Sequence, residues 1–178
     1  MRTTFSAKSP FQIISAVTIA LMFLNMFLPL NFTSVEAEAT AYPFKLKMTL
    51  EKTAYKSRER VNVTCILLNI GEENITLYHS ADFLFDFIVY DEDFLHVFRH
   101  RSVWGIPMVY YPFVPIPPSA NRTITGFWDQ TYDGSGNVIP ELWHKEVPPG
   151  TYYVTGLFSS STYRIKLQTP AIRITIGG

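Results

Sequence analysis

The sequence predicts an all-β domain, an antiparallel β-sandwich, placed behind an N-terminal export segment. Two observations predict the sandwich. Apolar residues recur at every second position in a series of short runs, the period at which strand side chains share one face. Clusters rich in Gly, Pro, Asn and Asp separate the runs and supply turns. A third observation sets the N terminus apart: a single apolar run that lacks that alternation.

The N-terminal segment has three parts. Arg2 and Lys8 make it positive, and residues 11–30 are apolar apart from Gln12, Ser15, Thr18 and Asn25. Ala37-Glu38-Ala39 then puts small residues at the two positions a signal peptidase reads. The pattern is that of a signal peptide over residues 1–39, with the mature domain over residues 40–178. The rival reading is an uncleaved anchor. Twenty residues rising about 1.5 Å each span a hydrocarbon core of about 30 Å. The polar residues in the run and the A-x-A sequence favour cleavage. Both readings deliver the domain across a membrane, as a secreted or cell-surface, extracytoplasmic protein that touches the membrane only through this segment.

The strands follow in order. Residues 44–50 alternate, and in residues 61–67 Val61, Val63, Cys65 and Leu67 form one apolar face. Ile75 and Leu77 do the same, and Phe85, Phe87 and Val89 alternate with Asp86, Ile88 and Tyr90. Further strands are expected over residues 95–99, 122–128, 151–158 and 163–176. Pro170 cannot donate to a ladder, so it marks a bulge, break or edge in the last of these. Five prolines between Gly105 and Ala120 forbid a central strand there. Seven or more short strands at this spacing read as an immunoglobulin-like sandwich.

Composition bounds the function. The 178 residues carry 15 Lys and Arg against 15 Asp and Glu, 47% apolar and 15% aromatic. Such a chain can bury enough surface to fold. Its balanced charge argues against nucleic acid, which demands a basic face. Its one cysteine excludes an internal disulfide. Removing residues 1–39 leaves 13 charges of each sign and 22 of the 27 aromatic rings.

From about Lys47 to Gly156 the order of these pieces resembles the BsuPI family of intracellular proteinase inhibitors. The resemblance is carried by Tyr55, Glu59 and Val61, then by Asn69-Ile-Gly71 before Ile75-Thr76-Leu77, then by Phe85-Asp86-Phe87. Trp104, Trp128-Asp129 and Pro149-Gly150-Thr151-Tyr152 complete it. It implies an immunoglobulin-like sandwich with Phe85, Phe87, Trp128, Gly150 and Tyr152 as structural positions, no cofactor, and a protein partner, a serine peptidase that the domain would inhibit. Two departures stand out: the export segment, and a link over residues 138–146 longer than the family pattern. The family brings no reactive site that maps onto these residues.

Few residues point to chemistry. Cys65 lies on an apolar strand face and reads as a small core residue. His79, His96, His100 and His144 lack metal-ligand spacing and are expected at the surface, so no metal is implied. Acidic turns at Asp91-Glu92-Asp93 and over residues 129–137 lack the ligand order of an EF-hand. No nucleophile elbow is present, and the chain reads as non-enzymatic. Tyr152, after Pro-Gly at a strand start, suits a tyrosine corner. Four of the seven asparagines, Asn31, Asn62, Asn74 and Asn121, begin N-x-T sequons. Asn31 leaves with a cleaved signal; Asn62, Asn74 and Asn121 are candidate N-glycosylation sites.

The stiff aromatic stretch holding Trp104, Pro107, Tyr110, Tyr111 and Phe113 is the candidate binding loop. The expected function is an exported protein-binding module, with proteinase inhibition implied by the resemblance. The alternatives are a cell-envelope structural or adhesion module without inhibitory activity, and a carbohydrate-binding module.

Overall fold

A computed structural model describes residues 34–77, 83–100, 114–133 and 138–178. Twelve strands and one short 3-10 helix make up its regular structure, and two sheets, antiparallel except for one pairing, pack face to face as a sandwich. Among the described residues no helix is long and apolar enough to cross a membrane.

The first sheet runs β1 (Val35–Ala41), β2 (Phe44–Leu50), β4 (Val61–Asn69) and β9 (Asn121–Trp128), all antiparallel neighbours. The second runs β3 (Ala54–Lys56), β12 (Ile172–Gly177), β10 (Gly150–Ser160), β6 (Phe83–Tyr90) and β7 (His96–His100). The chain changes sheets between β2 and β3, and β3 then pairs with β12 in parallel. A separate ribbon joins β5 (Ile75–Leu77) to β8 (Val114–Ile116), where Pro115 faces Thr76. The ribbon lies outside both main sheets, in keeping with the proline-rich sequence.

Alternation decides which side chains meet. Phe44, Leu46, Met48 and Leu50 of β2, with Val61, Val63, Cys65 and Leu67 of β4, face Phe85, Phe87, Val89, Tyr152, Val154 and Phe158 of the second sheet, all buried. The sheets approach closely at Gly156, where a Cβ would lie 3.2 Å from the Cys65 sulfur and 3.3 Å from Met48. Burial pushes the Cys65 thiol up to about 12, with the charge of Asp86 adding to the effect, so it is an inert core group.

β10 is long enough to take two partners along one edge. Its first half pairs with β12 and its second with β11 (Ile165–Gln168). The expected strand over residues 163–176 is therefore broken at Pro170. Thr169 bridges the break: its hydroxyl accepts from Gly156 N at 2.9 Å and its carbonyl from the Thr155 hydroxyl at 2.8 Å.

β1 continues the first sheet through residues that the sequence reading placed in the export segment. Seven register pairs join it to β2, and Ala37 is part of the core.

Candidate functional site

One end of the sandwich gathers the turn from β6 to β7, the link from β9 to β10 and the turn from β3 to β4. Asp91 builds the first turn: its Oδ1 accepts from Asp93 N and Leu95 N, and its carbonyl accepts from Phe94 N. Phe94 takes φ 58°, which swings its ring onto Tyr153 at 4.7 Å, nearly parallel.

The β9–β10 link folds back on itself. Tyr132 N donates to Lys145 O, and His144 N donates to Tyr132 O. A 3-10 turn at Pro140–Leu142 follows Ile139, with proline at its start where no N–H is needed. Trp143 Nε1 donates to Val138 O at 3.1 Å. Residues 138–146 thus form one wall of this end.

Three anchors hold the link. Trp128 is fully buried and its Nε1 donates to Thr131 O at 2.9 Å. Tyr152 completes a tyrosine corner, its hydroxyl donating to Pro148 O at 2.6 Å, and burial raises that hydroxyl's pKa well above its usual value. Gln130 is buried at φ 63° and reaches into the β3–β4 turn. Its Oε1 accepts from Arg58 N, and its Nε2 donates to Lys56 O and Glu59 O.

Between the two loops lies a cleft of about 270 Å³ lined by Asp91, Leu95, His96, Val97, Tyr132, Val138, Ile139 and Leu142. Its walls are mostly apolar. Burial lowers the pKa of His96 and raises that of Tyr132, so both are uncharged at neutral pH. Leu95 and Ile139 are each 56% exposed at the cleft, where exposed Phe94 immediately precedes Leu95 and exposed Trp143 immediately follows Leu142.

A bulge near Val89 and Tyr90 sets Tyr90 opposite His96 while Phe87 lies opposite His100. The two histidines therefore fall on opposite faces of the sheet, and both are half-buried rather than at the surface. His144 is exposed, and His79 lies outside the described residues. Phe85, Phe87, Trp128 and Tyr152 are core residues, whereas a Cβ on Gly150 would meet only Tyr152 at 3.9 Å, an ordinary contact. Asp129 Oδ1 accepts from the Thr131 hydroxyl, and Asp133 Oδ2 accepts from Arg99 N.

The candidate binding loop, with Trp104, Pro107, Tyr110, Tyr111 and Phe113, lies outside the described residues, as does Asn31. Asn62, Asn74 and Asn121 are all exposed. Among the exposed rings, Phe94 has one face on Tyr153, and Arg60 lies 4.5 Å over Phe127.

Sequence reasoning did not find the cleft. Its lining residues come from segments forty residues apart with no shared motif. The unusual length of residues 138–146 was the one available signal.

No family model and no curated protein matches the chain. Among solved structures, it is similar to a β-glucosidase from Listeria innocua in complex with glucose, at 15% identity and a TM-score of 0.45. That match covers 79% of this chain, which spans only 17% of the glucosidase. The C-terminal domain of wzt matches over 85% of this chain and 80% of its own at 7% identity and a TM-score of 0.46. A structural-genomics target, SoR45, matches at 17% identity with a TM-score of 0.40, over 78% of this chain and 90% of its own.

Proposed function

We propose that this is an extracytoplasmic, non-enzymatic protein-binding module that docks its partner at the cleft end of the sandwich. The observation that carries the reading is the apolar cleft of about 270 Å³ with Leu95 and Ile139 exposed at its edge. Sites for drug-sized ligands run to about 300–1,000 Å³. A smaller apolar cleft suits one large side chain of a protein partner, with the exposed Phe94 and Trp143 covering more of that partner's surface. The buried anchors Trp128, Gln130 and Tyr152 support the reading because a pre-ordered surface loses little entropy on binding. The resemblance to proteinase inhibitors makes a serine peptidase the first partner to try.

Site-directed photocrosslinking in an exporting host tests this. A photoreactive phenylalanine at Leu95 or Ile139 is expected to give a discrete protein adduct. The same residue at exposed Thr123, on β9, gives none. Absence of an adduct at both cleft positions would reject the reading in favour of a structural module. A peptidase in the adduct would support inhibition, which a titration of that enzyme then measures.

A further inference from the structure

The A-x-A sequence that suggests signal cleavage lies inside β1. Val35, Ala37, Ala39 and Ala41 face inward against the core, and Glu36, Glu38 and Thr40 face outward. The outward acids meet the lysines of β2: Lys45 Nζ lies 2.6 Å from Glu38 and Lys47 Nζ 2.7 Å from Glu36. These are diagonal pairs across neighbouring strands, a contact that sets register. The small residues thus have a structural purpose, since β1 also contacts β11 and β12 of the facing sheet and small side chains let the layers approach.

Cleavage after Ala39 would remove five of the seven register pairs between β1 and β2. It would leave Lys45 and Lys47 without their acids. It would also bare β2, whose inner face is wholly apolar, as a sheet edge open to pairing with other chains. Between Leu30 and Val35, where a cut would spare the strand, no two residues two apart are both small.

We propose that the chain is not processed at Ala39 and that residues 11–30 stay attached as a membrane anchor. The basic residues nearest the run, Arg2 and Lys8, precede it, whereas the first one after it is Lys45, a bias that orients such an anchor with the domain outside. β1 also enters the sandwich at the cleft end, since Val35 faces Leu50, which faces Val63, two residues from the start of β4.

The test uses the full chain with a C-terminal tag, expressed in a host that exports it. Membrane and soluble fractions are separated after an alkaline carbonate wash, and the N terminus is read by mass spectrometry on denatured protein. Retention of the anchor gives a washed-membrane protein whose N terminus lies before Phe11. Any N terminus beyond Phe11, or recovery in the soluble fraction, overturns the proposal; an N terminus at Thr40 would show that the A-x-A sequence is cut. The variant Ala39→Leu adds a second readout. A used cleavage site would be blocked and the product would gain the mass of residues 1–39. The proposal expects only the mass of the substitution. Neither readout depends on whether a partner binds the cleft, so it can fail while the docking reading stands, and the reverse.

Discussion

Arg99 Nε donates to Asp86 Oδ2 at 2.9 Å, and this contact accommodates a carboxylate that is almost wholly buried in the middle of β6. Asp86 sits between the core residues Phe85 and Phe87, 1% exposed, and its Oδ1 accepts from Phe87 N. Burial raises its pKa, and Arg99 opposes the rise. The folded state therefore holds the proton more tightly than the unfolded chain does. Stability from this group is fully present below the unfolded value and falls as pH climbs through the folded one. Arg99→Ala takes away the main opposing charge. It should cost about 2–4 kcal/mol at pH 7 and clearly less at about pH 3, below the ordinary Asp value of about 3.9, where the carboxyl is protonated. Urea melts of both proteins at the two pH values check this; an equal loss at both would show that the charge is not the cause.

Tyr152→Phe keeps the ring against Trp128 and removes only the hydroxyl bond to Pro148 O. A loss of about 1 kcal/mol is expected, since one part-buried hydrogen bond is given up. Thermal melts measure it. The cleft sits on the link this corner holds, so faster amide exchange at Tyr132 and Val147 should accompany the loss.

Gly126 is required by a ring rather than by a turn. A Cβ there would lie 2.6 Å from His100 Cε1, and the His100 ring stacks on Phe87 at 4.8 Å. Gly126→Ala should destabilise by about 1–3 kcal/mol through overcrowding. Adding His100→Ala should return part of that loss, because the two sites share one contact. Chemical melts of the two single variants and the double variant form the cycle; strict additivity would refute the coupling.

Gln130→Ala removes three part-buried hydrogen bonds that tie the link to Arg58 N and to the carbonyls of Lys56 and Glu59. The expected loss is about 2–4 kcal/mol. Gln130→Glu is a sharper probe, since a carboxylate keeps the bond from Arg58 N but places an acceptor against two carbonyls. It should be as damaging as alanine above the carboxyl pKa and milder below it, read by melts across pH.

The strands that alternate strictly were legible in sequence. β2 and β4 carry an apolar residue at every second position, and the expected faces are the buried ones. The break at Pro170 and the corner at Tyr152 were legible too, because each follows from a local property of one residue: a missing N–H, or a ring at a strand start. β3 and β8 were not: β3 buries only Tyr55 between two exposed residues, and β8 lies in the proline-rich stretch. The half-buried histidines escaped notice because the bulge that parts them depends on pairing with β6.

The sequence by itself determined the fold class, the inward faces of the main strands and the inert place of Cys65, since periodicity and turn chemistry act over a few residues. Only the tertiary structure decided what Gln130 and residues 35–41 do. Gln130 bonds a carbonyl 74 positions away, and no local pattern encodes that partner. Ala37-Glu38-Ala39 matches a peptidase pattern in sequence, and in the folded domain it lies in β1, with Glu38 and Glu36 paired to the lysines of β2.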